Sequence, residues 1–430
     1  MKEALLHYLW KFRKLGDAAK AIHLVTTAGD TLEVIKTGAH NELSGPDFFN
    51  AQIRINTQVW VGNVEIHLKS SDWYAHHHEI DAAYSNVILH VVWEEDCDVY
   101  DVSNNPIPTL ELKDKISPAL LSKYQRLLEA KTFRFINCEN DFAAVPNALT
   151  ENWIERMYFE RLERKVLEVE NLLEKKKGDW EAVLFAMLAR NFGTVVNADA
   201  FEELASLLPF KTIRKLAGSK NQLEAVFLGV SGLLENRKEG DAQTQMWKTE
   251  SDFNRHKFNL EKQIHHQIQF FKLRPPNFPT IRVSQLAQLY ENRTDLFALV
   301  ISAKSRNELL KLFEVKASEY WDTHYNFNKE HSKRNKKLAT SFIDLLLINS
   351  ILPVKFAYAK SLGVSIEEEL MELITSIPGE QNTILKEFNK LKMLKKDALH
   401  SQGLLELKKK YCNVNKCLSC QLGNYILNIS

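Results

Sequence analysis

The chain has 430 residues, 45% of them hydrophobic and 26% charged, and a formal net charge of +1. That length exceeds one ordinary core, so two or three domains are expected, and the composition excludes a disordered or collagen-like chain. Near-neutrality excludes a whole-molecule electrostatic pull on nucleic acid or membrane; any such attraction has to come from a local patch.

The first residues, from Met1 to Gly16, are amphipathic and mix Glu3 with Lys2, Lys11, Arg13 and Lys14, unlike a secretory leader. Residues from about Ala21 to Leu112 read as β-rich. Short runs of β-branched and aromatic residues occur at 22–26, 32–35, 52–55, 59–61, 64–68 and 87–93, separated by turn residues. The run Val87–Trp93 is nearly all apolar, as suits a central strand covered on both faces. After Ser117 the pattern becomes helical. Segments 118–130, 153–173, 180–192, 223–234, 258–271, 283–289, 342–360 and 366–376 carry helical spacing, and the Pro-rich stretch Arg274–Pro279 interrupts them. The longest apolar run, Phe342–Val354, is broken by Asp344, Asn349, Ser350 and Pro353. It falls short of the ~18 apolar residues of a spanning helix, so a cytoplasmic protein without membrane segments is expected. The chain is therefore read as α+β: a mixed α/β domain over residues 1–135, then a large all-α domain over 136–430.

Strand parity directs attention to the segment from Pro46 to His78. In the strand around Val64–Lys69, Val64, Ile66 and Leu68 point one way, and Glu65, His67 and Lys69 the other. If the preceding strand folds back so that Ile55 faces Val59, Asp47 faces His67 and joins the polar side. Two carboxylates and an imidazole would converge, a set suited to Mg²⁺ or Mn²⁺. A slip of one residue would turn Asp47 away. His76 and His78, in the following His-rich segment, are candidates for further metal ligands, and Glu33 or Glu42 for a further carboxylate. His90, inside an apolar strand, reads as a hydrogen-bonded core histidine. Trp60, Trp73 and Trp93 read as packing residues.

Pro46-Asp47 followed by Glu65-Ile66-His67 resembles the PD-(D/E)XK nuclease superfamily over about residues 25–95. The resemblance implies a restriction-endonuclease-like fold and metal-assisted phosphodiester hydrolysis, with Asp47 and Glu65 holding the metal. The superfamily's lysine is replaced here by His67, with Lys69 two residues further along the same face, so His67 and Lys69 are the candidates for activating water.

At the other end, Cys412-x₄-Cys417-x₂-Cys420 places three thiols at metal-ligand spacing. Cys138 is the candidate fourth ligand, ahead of Cys97 and His400; the site would clip the chain's end to the end of its first domain. Some helicase-associated and CRISPR-associated nucleases of the same superfamily carry a similar staple around an iron–sulfur cluster, while four thiolates suit Zn²⁺ equally. The basic runs Lys175–Lys177, Lys333–Lys337, Lys390–Lys396 and Lys408–Lys410 are either solvated helix faces or nucleic-acid contacts.

Over nearly its full length the chain resembles a bacterial family known as domain of unknown function 2851. The resemblance rests on Gly45-Pro-Asp-Phe48, Gly62-Asn-Val-Glu-Ile-His67, Ser71-Asp-Trp73, Leu273-Arg-Pro-Pro-Asn-Phe-Pro279, Ser401-Gln-Gly-Leu404 and the cysteine run. The sequence reading is a divalent-metal-dependent nuclease acting on DNA or RNA. The alternatives are a non-catalytic nucleic-acid- or protein-binding module on the same fold, and a His-rich metal site serving a different hydrolysis.

Overall fold

A computed structural model describes residues 2–15, 24–41, 43–128, 134–219, 222–235, 241–260 and 263–428. Two compact units result: Met1–Trp153 with Leu407–Ser430, and Ile154–Glu406. The C-terminal cysteine segment thus belongs to the unit that contains the sheet.

The first unit opens with helix α1 (Glu3–Lys11), whose Leu5, Leu6, Leu9 and Trp10 are fully buried. Strands β1 (Leu24–Val25), β2 (Thr31–Lys36), β3 (Ala39–His40), β4 (Phe48–Ile55), β5 (Gln58–Lys69), β6 (Val87–Glu94) and β7 (Thr109–Glu111) follow. The sheet order is β1-β2-β4-β5-β6-β7, with β3 also paired to β4. Pairs from β1 to β5 are antiparallel, whereas β5–β6 and β6–β7 are parallel. Between β5 and β6 the crossover is short, carrying only helix α2 (Asp72–Ala75) and a 3₁₀ turn at Ala82–Tyr84. Helix α3 (Pro118–Leu128) adds Tyr124 and Leu127 to a core shared by α1 and the sheet. The β-strand expected from residue 22 begins, within the described residues, at Leu24.

Register in the β4–β5 hairpin differs from the sequence expectation in two places that compensate. Ile55 pairs with Gln58 rather than Val59, across a tight turn in which Asn56 is left-handed (φ 51°). The Asn56 backbone N–H donates to the Thr31 carbonyl (2.8 Å), and its side-chain oxygen accepts from the Thr31 N–H (3.1 Å). That first slip alone would turn Asp47 to the wrong face. A bulge at Asn50, itself left-handed (φ 55°), then shifts the register once more, so that Phe48 pairs with Val64. Two single-residue shifts restore the original parity, and Asp47 lies beside Glu65 instead of His67. The two segments expected at 59–61 and 64–68 form one long strand through Gly62. A Cβ there would meet Ile88 Cγ2 at 2.4 Å and the Asn86 carbonyl at 2.7 Å, so glycine permits the close approach of the β6 start.

The second unit is helical. Helix Trp180–Phe192 has the bounds its spacing predicts, and Asp179 caps it by accepting from the Ala182 N–H. The helix expected over 258–271 does not form among the described residues. The preceding helix ends at Lys257, and Asn259 turns left-handed. The segment instead spends its polar groups on neighbours: the N–H groups of His265 and His266 donate to Glu203, and Gln269 exchanges bonds with Asn197. Those partners outweigh the local helical period.

The apolar run near residue 350 forms a continuous 22-residue helix, Thr340–Ser361, despite its polar residues and Pro353. By length and composition (mean hydropathy 1.5) it could cross a membrane, contrary to the sequence expectation, but 78% of its most apolar window is buried inside the unit. A π turn at Leu347–Ile351 widens the helix just where the Pro353 ring would meet the carbonyl one turn back. Asn349 and Ser350 are absorbed by bonds to the Leu345 and Met187 carbonyls.

Because Asn50 occupies a left-handed bulge, Asn50→Val is expected to lower unfolding stability by about 1–2 kcal/mol, whereas Asn50→Gly stays near wild type. Urea denaturation measures this. Equal stability of the two variants would mean that the bulge places no demand on backbone conformation.

Candidate metal centre

Glu65 and His67 alternate with the core residues Val64 and Ile66 on β5, and both are buried, at 5% and 2% exposure. Asp47, at the entry to β4, is bound to them through the backbone. Its N–H donates to Glu65 Oε2 (3.1 Å), and its Oδ2 accepts from the Ile66 N–H (3.0 Å). The neighbouring parallel strand contributes His90, fully buried, whose Nε2 lies 2.8 Å from His67 Nδ1.

The β5–β6 crossover closes the group. Helix α2 is anchored by Asp96, which accepts from the Ser70 hydroxyl and from the N–H and hydroxyl of Ser71. The helix ends in a Schellman turn: the His78 N–H donates to the Trp73 carbonyl, the His77 N–H to the Tyr74 carbonyl, and His77 is left-handed (φ 60°). His77 points to solvent and His78 is buried; His76, although exposed, places its Nδ1 3.1 Å from His67 Nε2. One ligand atom from each of His67, His76 and His78 lies within 4.8 Å of the others, the spacing of ligands around one metal ion. Glu65 Oε1 is 3.4 Å from His78 Nε2 and 3.5 Å from His67 Nε2. Tyr84 stacks on the His78 ring at 3.7 Å, and Trp73, buried with its indole N–H donating to the Tyr100 carbonyl (3.1 Å), packs edge-on against it.

Helix α1 supplies two residues that sequence reasoning missed. His7 Nε2 sits 3.2 Å from Asp47 Oδ2. Glu3, one turn earlier on the same face, interacts electrostatically with His7, Asp47 and His76. The available signal was their four-residue spacing beside the stripe of Leu5, Leu6 and Leu9; nothing local said which strand that face would meet.

Electrostatics divide the cluster. Burial, reinforced by the neighbouring His78, His76 and His7, lowers His67 to about 3. His90 is driven well below its ordinary value by burial and by His67. Both rings are therefore neutral, as metal ligation requires. Burial raises the Glu65 carboxyl, partly offset by the bond from His78. Burial would depress His7, but Asp47 beside it, with Glu3 and Glu65, reverses the sign and raises it. The neutral His90–His67 bond has a chemical consequence. With His67 Nδ1–H donating to His90 Nε2, His67 Nε2 keeps its lone pair for a cation, and His90 serves as the partner that fixes the tautomer. A donor set of three imidazoles and up to two carboxylates fits a first-row divalent ion better than one built of oxygens alone would.

The other sequence candidates lie as follows. Lys69 Nζ is 3.6 Å from Asp96 in solvent-exposed surroundings. Glu33 is paired with Arg54, also exposed. Glu42 lies outside the described residues. Cys138, Cys412, Cys417 and Cys420 are free thiols in the same unit, as is Cys97.

The chain belongs to a family described as "Protein of unknown function (DUF2851)", whose profile matches residues 3–383. That bears out the family resemblance read from the sequence over those residues; the stretches Ser401–Leu404 and Cys412–Cys420 lie beyond the match. Comparison with curated proteins and with solved structures found no match.

The lowered histidines fix a pH dependence for the metal-free protein. In the unfolded chain His90 binds a proton near pH 6.5, whereas the folded chain resists it, so the stability its burial allows is complete above 6.5 and is lost as pH falls. Wild type should therefore lose its advantage over His90→Asn below pH 6.5, the gap closing by up to about 1.4 kcal/mol per pH unit. Urea titrations in chelator at pH 7.5 and 5.5 test this; a gap independent of pH would show that His90 is not held neutral.

Proposed function

We propose that the chain is a divalent-metal-dependent phosphodiester hydrolase acting on DNA or RNA, with its metal held by Glu65, His67, His76 and His78 beside Asp47. The observation that carries this reading is the convergence of half-buried Asp47 and buried Glu65 from adjacent strands on one side of the sheet, where buried His67 and His78 meet exposed His76. The strand arrangement supports it. A helix, three antiparallel strands (β2, β4, β5) and a parallel fourth (β6), with the two acids on the second and third, is the layout that a restriction-endonuclease-like fold implies.

The bound ion would polarise the phosphate and lower the pKa of an attacking water. Imidazole ligands shift the preference from Mg²⁺ toward Mn²⁺ and later first-row ions. The chain's own residues divide the remaining work. Asp47, with Oδ2 fixed by the Ile66 N–H, would hold its carboxylate beside the ion. His90 holds the His67 ring in the ligating tautomer. His7, whose pKa is raised, is the proton donor for the leaving oxygen.

A second reading, a nucleic-acid- or protein-binding module without catalysis, is favoured by Lys69. Its ammonium faces Asp96, so the activating amine implied by the superfamily is engaged elsewhere. One set of assays separates the two. With Mn²⁺, on single- and double-stranded DNA and RNA, Asp47→Ala and Glu65→Ala are each expected to lose about 10²-fold or more in cleavage rate. Equal background cleavage by wild type and both variants ends the hydrolase reading. Metal-dependent retention of nucleic acid without cleavage establishes the second.

A further inference from the structure

Residues far apart in sequence meet at the C-terminal edge of the first unit. After α3 the chain turns at Ile136–Glu139, and the Cys138 carbonyl accepts from the N–H groups of Asp141 (3.0 Å) and Phe142 (2.9 Å). That turn is tied to the C-terminal segment at several points. The Asn137 side-chain amide donates to Asn415 Oδ1 (2.9 Å) and to Cys417 Sγ (3.5 Å). Lys408 Nζ donates to the Phe135 carbonyl (2.6 Å) and to Asn413 Oδ1 (2.7 Å). Cys417 is buried in the core against which Cys138 packs, Cys420 is buried as well, and burial, with Cys412, Cys420 and Cys417 nearby, pushes the Cys138 thiol up.

The backbone around the Cys-x₂-Cys is closely specified. Cys417–Ser419 is a 3₁₀ turn closed by the Cys420 N–H on the Cys417 carbonyl (3.2 Å). The backbone N–H groups of Leu422 and Gly423 are directed at the Cys420 sulfur. Position 423 must be glycine, since a Cβ would lie 2.3 Å from the Cys417 carbonyl oxygen. These donors offset only part of the burial that pushes the Cys420 thiol up, so a thiolate there calls for a neighbouring cation. Cys97 makes the contrast: it lies apart, against the Ser70 hydroxyl at 3.8 Å.

We propose that Cys138, Cys412, Cys417 and Cys420 form a four-thiolate metal centre, a zinc ion or an iron–sulfur cluster, that fastens the C-terminal segment to the turn after α3 and to α1. Cys417 and Leu427 are part of the same core as Leu5, Leu6, Leu9 and Trp10 of α1. On the same helix the Tyr8 hydroxyl donates to Asn424 Oδ1 (3.2 Å) and accepts from Asn428 Nδ2 (3.3 Å). The metal closes a loop that contains the whole second unit in sequence. It thereby removes conformations from the unfolded chain and holds the helix that presents Glu3 and His7. The centre is independent of the reaction proposed above.

The test uses the full chain purified without oxygen, in a His67→Ala/His78→Ala background so that the pocket contributes no metal. Zinc, iron and acid-labile sulfide are measured per chain, visible absorption is recorded, and X-ray absorption at the metal edge identifies the neighbouring atoms. Expected is either ~1 zinc per chain with sulfur neighbours, or iron and sulfide with visible absorption. Four thiols should resist a thiol reagent until chelator and denaturant are added, and Cys97→Ser should remove only the fifth. Cys417→Ser and Cys420→Ser should lose the metal. Should either fail to fold, the stoichiometry and thiol protection of the parent decide alone. A metal-free parent whose thiols all react at once, or whose thiols are joined as disulfides, overturns the proposal.

Discussion

Everything at the candidate centre depends on a β-bulge. A strand offers its side chains alternately to two faces, so a carboxylate one position out of register is a carboxylate on the wrong side of the sheet. The hairpin turn at Asn56 introduces such an error, and the left-handed Asn50 cancels it before the strand reaches Asp47. Asparagine at both positions is chemically apt, because its short polar side chain tolerates the left-handed region and bonds to nearby backbone. The Asn50 N–H donates to the side chain of Asn63 on β5 (3.3 Å), so the bulge is tied to the strand it re-registers.

The same centre collects polar groups where a sheet usually packs apolar ones. Burying a carboxylate and several imidazoles has a desolvation cost unless each finds partners. Here the partners are one another: His90 with His67, His67 with His76 (3.1 Å), and Glu65 with His78 and the Asp47 N–H. The network leaves the buried His90 Nδ1 without a hydrogen-bond partner among the described residues. A cation coordinated by Glu65, His67 and His78 would compensate their burial more fully than hydrogen bonds between neutral rings do.

Polar residues in the helical unit show the alternative fate of a buried charge. Lys355 is almost wholly enclosed, yet its ammonium donates to the Ile301 and Ala303 carbonyls (2.9 and 2.8 Å) and sits 3.0 Å from Glu369. It satisfies the carboxyl end of the helix Leu296–Ser302, where both unpaired carbonyls and the helix dipole favour a cation. Glu224, also enclosed, accepts from the Trp321 indole (2.7 Å) and the Ser318 hydroxyl (3.0 Å). These groups are partnered by backbone and by hydroxyl, indole and carboxylate groups, whereas Glu65 and His67 are partnered chiefly by other titratable side chains.

Sequence alone determined the features that depend on local periodicity. Alternation along 64–69 put Glu65 and His67 on one face. Helical spacing with an Asp cap fixed Trp180–Phe192, and the apolar run at 87–93 marked a strand covered on both sides. It also singled out His76 and His78, although the left-handed His77 between them, which ends the helix and lets His78 be buried, shows no glycine to announce it. Tertiary structure decided what distance in sequence conceals. Only the fold brings Glu3 and His7 of α1 against Asp47, sets Lys69 beside Asp96, and spends the polar groups of 258–271 on neighbouring helices instead of on a helix of their own. Local pattern says which face of an element is apolar. Which other element that face will meet is chosen by the packing of the whole unit, because the energy of that choice lies in contacts between segments and not within any one of them.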